Sequence, residues 1–415
     1  MEVLKIATAG SVDDGKSTLI GRLLYDTKSL TEDKLEAIEK TSRQKGYDYL
    51  DFSLATDGLV AEREQGITID VAHIYFSTPK KSYIIADTPG HVEYTRNMVT
   101  GASTSQAAII LIDARKGVVE QTNRHFFINN LLRIKEVIIA INKMDLVGFS
   151  QERFNAIKAD FQALMAKRDY AEQKITFIPI SALNGDNVVT KSKNIPWYAG
   201  VTILEHLEHL DLAAVSNSGT PRFPVQYVIR PKTQDFHDFR GFAGKVYGGE
   251  LHVGDEVVVL PSMTKSRIKA IYFHNKKYST APRRSSVTLT LSDELNLSRG
   301  DMLVRAGDLP AMDKEVTATV SWMDAHSLVT GKKYKVQHGV HKVWAKVDAI
   351  IHKIHPDYSG IEENVSALQM NDIAKVRLRF NKPIFYDRFK EHRTNGSFII
   401  LDSSTNNTAG VGFID

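Results

Sequence analysis

Gly10-Ser11-Val12-Asp13-Asp14-Gly15-Lys16-Ser17-Thr18 decides how this chain is read. Before it lies Val3-Leu4-Lys5-Ile6-Ala7-Thr8-Ala9, an apolar run expected to be a strand. After it, Leu19, Ile20, Leu23 and Leu24 recur at helical spacing, so Ser17 to Tyr25 is expected to be a helix. Gly10 through Ser17 fits G-x-x-x-x-G-K-[ST], a loop that cradles phosphates, and strand–loop–helix is the context the motif needs. Gly10 and Gly15 let the backbone turn tightly and aim several N–H groups at one phosphate. Lys16 brings a point charge to β and γ phosphates, and the Ser17 hydroxyl is a hard oxygen ligand suited to Mg²⁺. The positive end of the following helix adds to the anion site.

Outward from this loop, residues 1–210 alternate Val/Ile-rich runs with helical stretches. The runs are Val71–Ser77, Tyr83–Ala86, Ala107–Ile112, Glu136–Ile141 and Ile175–Ile180. Ser150–Lys167 and Thr202–Leu210 read as helices. Runs apolar on both faces belong to strands buried on both sides, so a mostly parallel, doubly wound α/β domain is expected over 1–215, with its ligands at the carboxyl ends of the strands. From about residue 220 short alternating strands broken by Gly and Pro take over. They imply two β-barrel domains, 220–310 and 313–415. Between His338 and His341 a turn is expected. His352 and His355 lack a third ligand at a metal-binding spacing.

Four more pieces belong with the phosphate loop. Asp87-Thr88-Pro89-Gly90 follows a strand; an Asp there can hold Mg²⁺ through water, and a Gly after it lets a backbone N–H approach a γ-phosphate. Thr68, in a loop, can complete the Mg²⁺ shell only while that phosphate is present, which is the logic of an order–disorder switch. Asn142-Lys143-Met144-Asp145 ends another strand. The Asp145 carboxylate can accept from both N1–H and the 2-amino group of guanine, a pair adenine does not offer, so GTP and GDP are expected rather than ATP. Asn142 can brace the phosphate loop, and the Lys143 stem can lie along the base. Ser181-Ala182-Leu183 ends the next strand, where N–H groups can meet the guanine O6.

Composition limits the other possibilities. The 415 residues are 42% hydrophobic and 25% charged, an ordinary soluble balance, and the length calls for two or three domains. Cysteine is absent, which excludes disulfides, thiolate catalysis and Cys-based zinc or iron–sulfur sites. No apolar run is long enough to span a bilayer. The first strand starts within a few residues of Met1, leaving no room expected for a leader, and a cytoplasmic location is expected. The net charge of +4 divides into −2 over residues 1–210 and +6 beyond, which permits a nucleic-acid partner without requiring one.

These five motifs resemble the translation-factor class of GTPases, whose plan is a nucleotide domain followed by two β-barrels. The likeness is closer to the GTPase (large) subunits of the heterodimeric bacterial ATP sulfurylases. GSVDDGKSTL at Gly10–Leu19, DGLVAEREQGITID at Asp57–Asp70, IADTPGHVEYTRNMVTG at Ile85–Gly101, IDARKGVVEQ at Ile112–Gln121 and FPVQYVIRP at Phe223–Pro231 carry it. Ser11 and Asp14 depart from the usual elongation-factor loop. The resemblance implies GTP/GDP and Mg²⁺ as cofactors, with Ser17, Thr68 and Asp87 at the metal and Gly90 at the γ-phosphate. His91, Lys16 and Thr68 would be catalytic: His91 positions the attacking water, gated by Val12 and Ile67. It further implies a smaller adenylyltransferase partner, and GTP hydrolysis driving ATP and sulfate to adenosine 5′-phosphosulfate and pyrophosphate. The chain ending near Asp415 leaves no room expected for an adenylylsulfate kinase domain. The competing expectation is an elongation-factor-like carrier of aminoacyl-tRNA.

Overall fold

The computed structural model describes residues 3–44, 46, 49–55, 71–90, 95–211, 219–231, 239–274 and 276–415. It divides into two compact units. One is Met1–Ser216 with the short segment His355–Gly360; the other is Asn217–Ile354 with Ile361–Asp415.

The first unit is built on a six-stranded sheet. Its strands are β1 (Val3–Ala9), β2 (Ala72–Ser77), β3 (Ser82–Asp87), β4 (Ala107–Asp113), β5 (Glu136–Asn142) and β6 (Lys174–Pro179). They lie in the order β2-β3-β1-β4-β5-β6. All pairings are parallel except β2 with β3, which is antiparallel at the edge. β4 and β5 are buried along their whole length, as strands covered on both faces must be. The helices are α1 (Lys16–Asp26), α2 (Glu32–Gln44), α3 (Thr95–Ala102), α4 (Glu120–Leu131), α5 (Gln151–Met165) and α6 (Ile203–His209). α1 buries Leu19, Ile20, Leu23 and Leu24 against Ile6, Ile109 and Leu111 in one core. Local chemistry sets the helix starts. The Ser150 hydroxyl accepts from Arg153 N at 3.1 Å before α5. At α6, Thr202 and Glu205 exchange hydrogen bonds of 3.1 and 2.9 Å in a capping box. Among the described residues no helix is long and apolar enough to cross a membrane.

The second unit holds two closed antiparallel barrels. In the first, the sheet running from Glu256–Leu260 through Met302–Arg305, Arg222–Ile229, Gly241–Lys245 and Ser286–Leu291 to Thr264–Phe273 closes by pairing its last strand with its first. In the second, Lys333–His338, Ser397–Leu401, Thr408–Ile414, Ala311–Trp322, Ile373–Tyr386 and His341–Ile354 close the same way. Closure removes free sheet edges. His338 and His341 end and begin the two strands of a hairpin, with the expected turn between them. A buried ion pair joins the barrels: Arg222 donates to both oxygens of Asp387 at 2.9 and 2.7 Å and to the Asp308 carbonyl at 2.7 Å. Asn395 Nδ2 adds a third donor to Asp387 at 2.8 Å.

Candidate functional site

The loops at the carboxyl ends of β1, β3, β5 and β6 meet at one end of the sheet. Gly15, at φ +94°, turns the chain into α1, and a Cβ there would lie 2.5 Å from Asn142 Nδ2. Within the loop Ser11 N donates to Asp14 Oδ2 at 2.7 Å. Burial pushes the Asp14 carboxyl upward, and that donor partly offsets the rise. The buried Lys16 ammonium donates to the Gly10 and Ser11 carbonyls at 2.8 and 3.1 Å. Burial pulls its pKa down, with Asp87, Asp14 and Asp13 opposing. A buried cation held by neutral carbonyls suits an anionic ligand, since a phosphate would supply the opposite charge.

Asp87 is the last residue of β3 and is buried, and the Thr8 hydroxyl donates to its Oδ1 at 3.0 Å. Gly90 packs tightly: a Cβ would sit 2.5 Å from the Gly10 carbonyl oxygen and 2.7 Å from Lys16 Nζ. No side chain other than hydrogen fits between these two loops. Asp87, Lys16 and Gly90 therefore share one cradle, with Ser17 and Thr18 in the first turn of α1.

Asn142, the last residue of β5, joins three loops. Its Nδ2 donates to the Asp14 carbonyl at 2.8 Å and its Oδ1 accepts from Ala182 N at 2.9 Å. Lys143 donates to the Asp13 carbonyl and pairs with Asp113 Oδ2 at 3.0 Å. Asp13 and Lys143 both take left-handed backbone, at φ 67° and 62°. For non-glycine residues that costs about 1–3 kcal/mol each, and such strain clusters at functional sites. Asp145 lies in the 3-10 turn Met144–Val147 directly after them. Ser181 Oγ accepts from Asn184 N at 3.3 Å, steadying the loop that carries Ala182 and Leu183. From α1, Arg22 donates to the Leu183 carbonyl at 3.3 Å.

The structure thus brings Gly10 to Thr18, Asp87, Gly90, Asn142 to Asp145 and Ser181 to Leu183 to one end of one sheet. Thr68, Ile67 and His91 lie outside the described residues. Two groups at the site were not singled out from sequence. Asp113, the last residue of β4, is buried. Burial alone would raise its carboxyl, yet Arg115, at 2.7 Å, and Lys143 hold it well below the usual carboxylate range. Gln121, on α4, donates to the Gly90 carbonyl at 2.9 Å. Among the described residues no group of three or more His, Cys, Asp or Glu is placed to hold a metal ion.

A phosphate loop, an aspartate–glycine loop and an Asn-Lys-x-Asp loop joined by hydrogen bonds define a P-loop guanine-nucleotide-binding domain. The model of the elongation factor Tu GTP binding domain matches residues 1–216, and that of the GTP-eEF1A C-terminal domain-like family matches residues 315–415. The chain is 48% identical to a sulfate adenylyltransferase subunit 1 of Bacteroides fragilis, over 100% of this chain and 86% of the relative. Against its counterpart in Colwellia psychrerythraea it is 46% identical over 100% and 88%. It is 49% identical to the bifunctional enzyme CysN/CysC of Mycobacterium tuberculosis, over 99% of this chain and 67% of that protein. The chain belongs to the sulfate adenylyltransferase subunit 1 family of GTPases.

Proposed function

We propose that this chain is the GTP-binding, GTP-hydrolysing subunit of a sulfate adenylyltransferase. Hydrolysis of GTP on it drives the uphill conversion of ATP and sulfate to adenosine 5′-phosphosulfate and pyrophosphate on a smaller adenylyltransferase subunit. The two subunits form a cytoplasmic heterodimer that opens sulfate assimilation. The observation that carries the nucleotide reading is Asn142, whose one carboxamide holds the phosphate loop and the Ala182 loop in register. Family membership along the whole chain supports the coupled reaction. Residues 1–215 form the nucleotide domain, and 220–310 and 313–415 the two barrel domains.

In this reading the backbone N–H groups from Gly10 to Thr18 surround the phosphates, and Lys16 exchanges carbonyl partners for β and γ oxygens. Asp145 selects guanine, the Lys143 stem covers the base, and the Ser181–Leu183 backbone meets O6. Ser17, Asp87 and Thr68 would hold Mg²⁺, which when bound offsets the charge on the β and γ oxygens. Gly90, whose bare Cα lies against Gly10 and Lys16, offers its N–H to the γ-phosphate. His91 orients the attacking water instead of removing its proton outright.

The test measures GTP turnover by the chain alone and with the smaller subunit, with and without ATP and sulfate. Turnover that rises with the partner, and adenosine phosphosulfate that accumulates only with GTP, is the expected result. A partner without effect, together with charged tRNA binding the GTP form, would replace this reading with the carrier reading.

A further inference from the structure

A lysine stem can cover a base only if its ammonium is held elsewhere, because a long side chain left to turn freely is costly to order. Asp113 supplies that hold for Lys143. The parallel strands place it: Asp113, the last residue of β4, is in register with Asn142, the last of β5, and Ala114 N donates to the Asn142 carbonyl at 2.8 Å. Lys143 Nζ lies 3.0 Å from Asp113 Oδ2 and also donates to the Asp13 carbonyl of the phosphate loop. The Asp113 side chain is fully buried, and Arg115 grips it from the other side. Arg115 N and Nε donate to Oδ1 at 2.9 and 3.1 Å, and Nη2 donates to Oδ2 at 2.7 Å. These donors keep the carboxylate ionised against its burial. An apolar side chain would close the end of β4 at less cost, so the charge points to a task beyond packing. The tie from Asp113 through Lys143 to Asp13 also joins two residues in left-handed backbone, Lys143 at φ 62° and Asp13 at φ 67°. It spans the ends of β4 and β5 and the phosphate loop.

We propose that Asp113 is a positioning residue for the guanine base: it anchors the Lys143 ammonium, so that the stem of Lys143 lies where it covers the purine ring. This rests on the GTPase reading given above. Asp113 touches no nucleotide atom in this account and acts through Lys143. The stem meets the face of the ring, whereas Asp145 meets its N1–H and 2-amino edge. Losing the anchor therefore weakens guanosine and inosine nucleotides alike, whereas losing Asp145 removes the preference between them.

The experiment uses the full chain with Mg²⁺ and measures affinities for GDP and for inosine diphosphate, which lacks only the 2-amino group, by competition against a fluorescent GDP. Asp113→Asn keeps the shape of the side chain and removes the charge. A hydrogen bond to a charged group is worth about 10- to 150-fold, and the Asp13 carbonyl still holds part of Lys143, so GDP affinity is expected to fall about 5- to 30-fold. The affinity for inosine diphosphate is expected to fall by the same factor, to within about twofold. Arg115→Met removes the other cation and leaves Lys143 anchored, so its GDP affinity is expected to stay within about threefold of wild type. Lys143→Met already lacks the ammonium, so adding Asp113→Asn to it is expected to weaken binding no further. Equal GDP affinity in wild type and Asp113→Asn overturns the proposal. So does a shift in the ratio of GDP to inosine diphosphate affinity, which would mark a loop displaced together with Asp145. An equal loss in Arg115→Met, or full additivity with Lys143→Met, overturns it too, since either marks a carboxylate that merely supports its own loop. If Asp113→Asn does not fold, Asp113→Ser, which admits water between the two cations, decides by the same readouts. Wild-type protein that binds no guanine nucleotide removes the GTPase reading itself, a separate result from failure of the variants.

Discussion

Replacing Asn142 by alanine removes the junction of three loops and nothing else. Asn142 is 2% exposed, and it bonds the Asp14 carbonyl at 2.8 Å and Ala182 N at 2.9 Å. Asp14 and Ala182 are buried as well, so both lose a partner in a place water reaches poorly. Leaving one buried polar group unpaired costs about 1–3 kcal/mol, so two give about 2–6 kcal/mol if both stay dry. Relaxation that wets one of them brings the figure to about 1–3 kcal/mol. β5 itself is buried from Glu136 to Asn142 and keeps its ladder on both sides, so the fold absorbs little of this loss. It falls on the geometry of the phosphate and guanine loops, and GDP affinity should drop about 5- to 150-fold. Titration with fluorescent GDP measures it, and thermal unfolding without nucleotide checks that the chain stays folded. Asn142→Asp should bind no better than Asn142→Ala, because a carboxylate would face the Asp14 carbonyl. A GDP affinity within threefold of wild type for Asn142→Ala would refute the junction.

Three more outcomes follow from the same contacts. Asp145→Asn should weaken GTP binding about 10- to 150-fold, the value of a charge-assisted hydrogen bond, and improve binding of xanthosine nucleotides; calorimetry showing unchanged GTP affinity removes Asp145 from the base site. Asp387→Ala strands the Arg222 guanidinium, 3% exposed, and should cost about 3–5 kcal/mol in urea unfolding of the barrels, whereas a loss under 1 kcal/mol would mean solvent already reaches that ion pair. His125 is neutral in the fold at about 3 but binds a proton near 6.5 when unfolded, so the unfolded chain holds more protons between those values and stability falls as pH drops below 6.5. The slope is up to about 1.4 kcal/mol per pH unit, and burial depresses His206, His338, His341 and His392 in the same direction. Asp113 and Asp387, also depressed, add their losses only below about pH 4. A urea midpoint that does not move between pH 7 and pH 5 would contradict this assignment.

What could be read from the residues in order is what a local pattern encodes. Val3–Ala9 is a strand at the expected bounds, because an unbroken Val/Ile/Ala run has no other use when both faces are covered. Ser286–Leu291 is a strand whose burial alternates residue by residue, as does the first half of His341–Ile354. Met302–Arg305 and Thr408–Ile414 do not stand out as strands in the sequence, although Thr408–Ile414 lies inside the second barrel. Its glycines mask it, and they are there for packing: a Cβ on Gly412 would lie 2.1 Å from the Phe398 ring, and one on Gly410 would lie 2.9 Å from Trp322. Glycine in a strand commonly marks such a close approach, but which ring approaches is known only once the barrel closes.

The candidate site divides along the same line. Residues expected to meet a nucleotide sit in short motifs, each at a strand's carboxyl end; Asn142 to Asp145 or Ser181 to Leu183 is weak alone and gains its weight from following the Gly10–Ser17 loop in that order. Residues that hold those motifs together contact partners far along the chain and leave no local signal. Gln121 reaches Gly90 across a separation of 31 residues, and Arg22 reaches Leu183 across 161. Arg22 shows how complete that support is. It ion-pairs with Asp26 at 2.9 Å, lies over the rings of Tyr25 and Phe52, and donates to Leu183, while a Cβ on Gly185 would be 2.5 Å from its Nη2. The helix that begins at the phosphate loop therefore also holds the loop expected to meet the base. A shift of α1 on phosphate binding would be felt through Arg22 at the loop that carries Leu183.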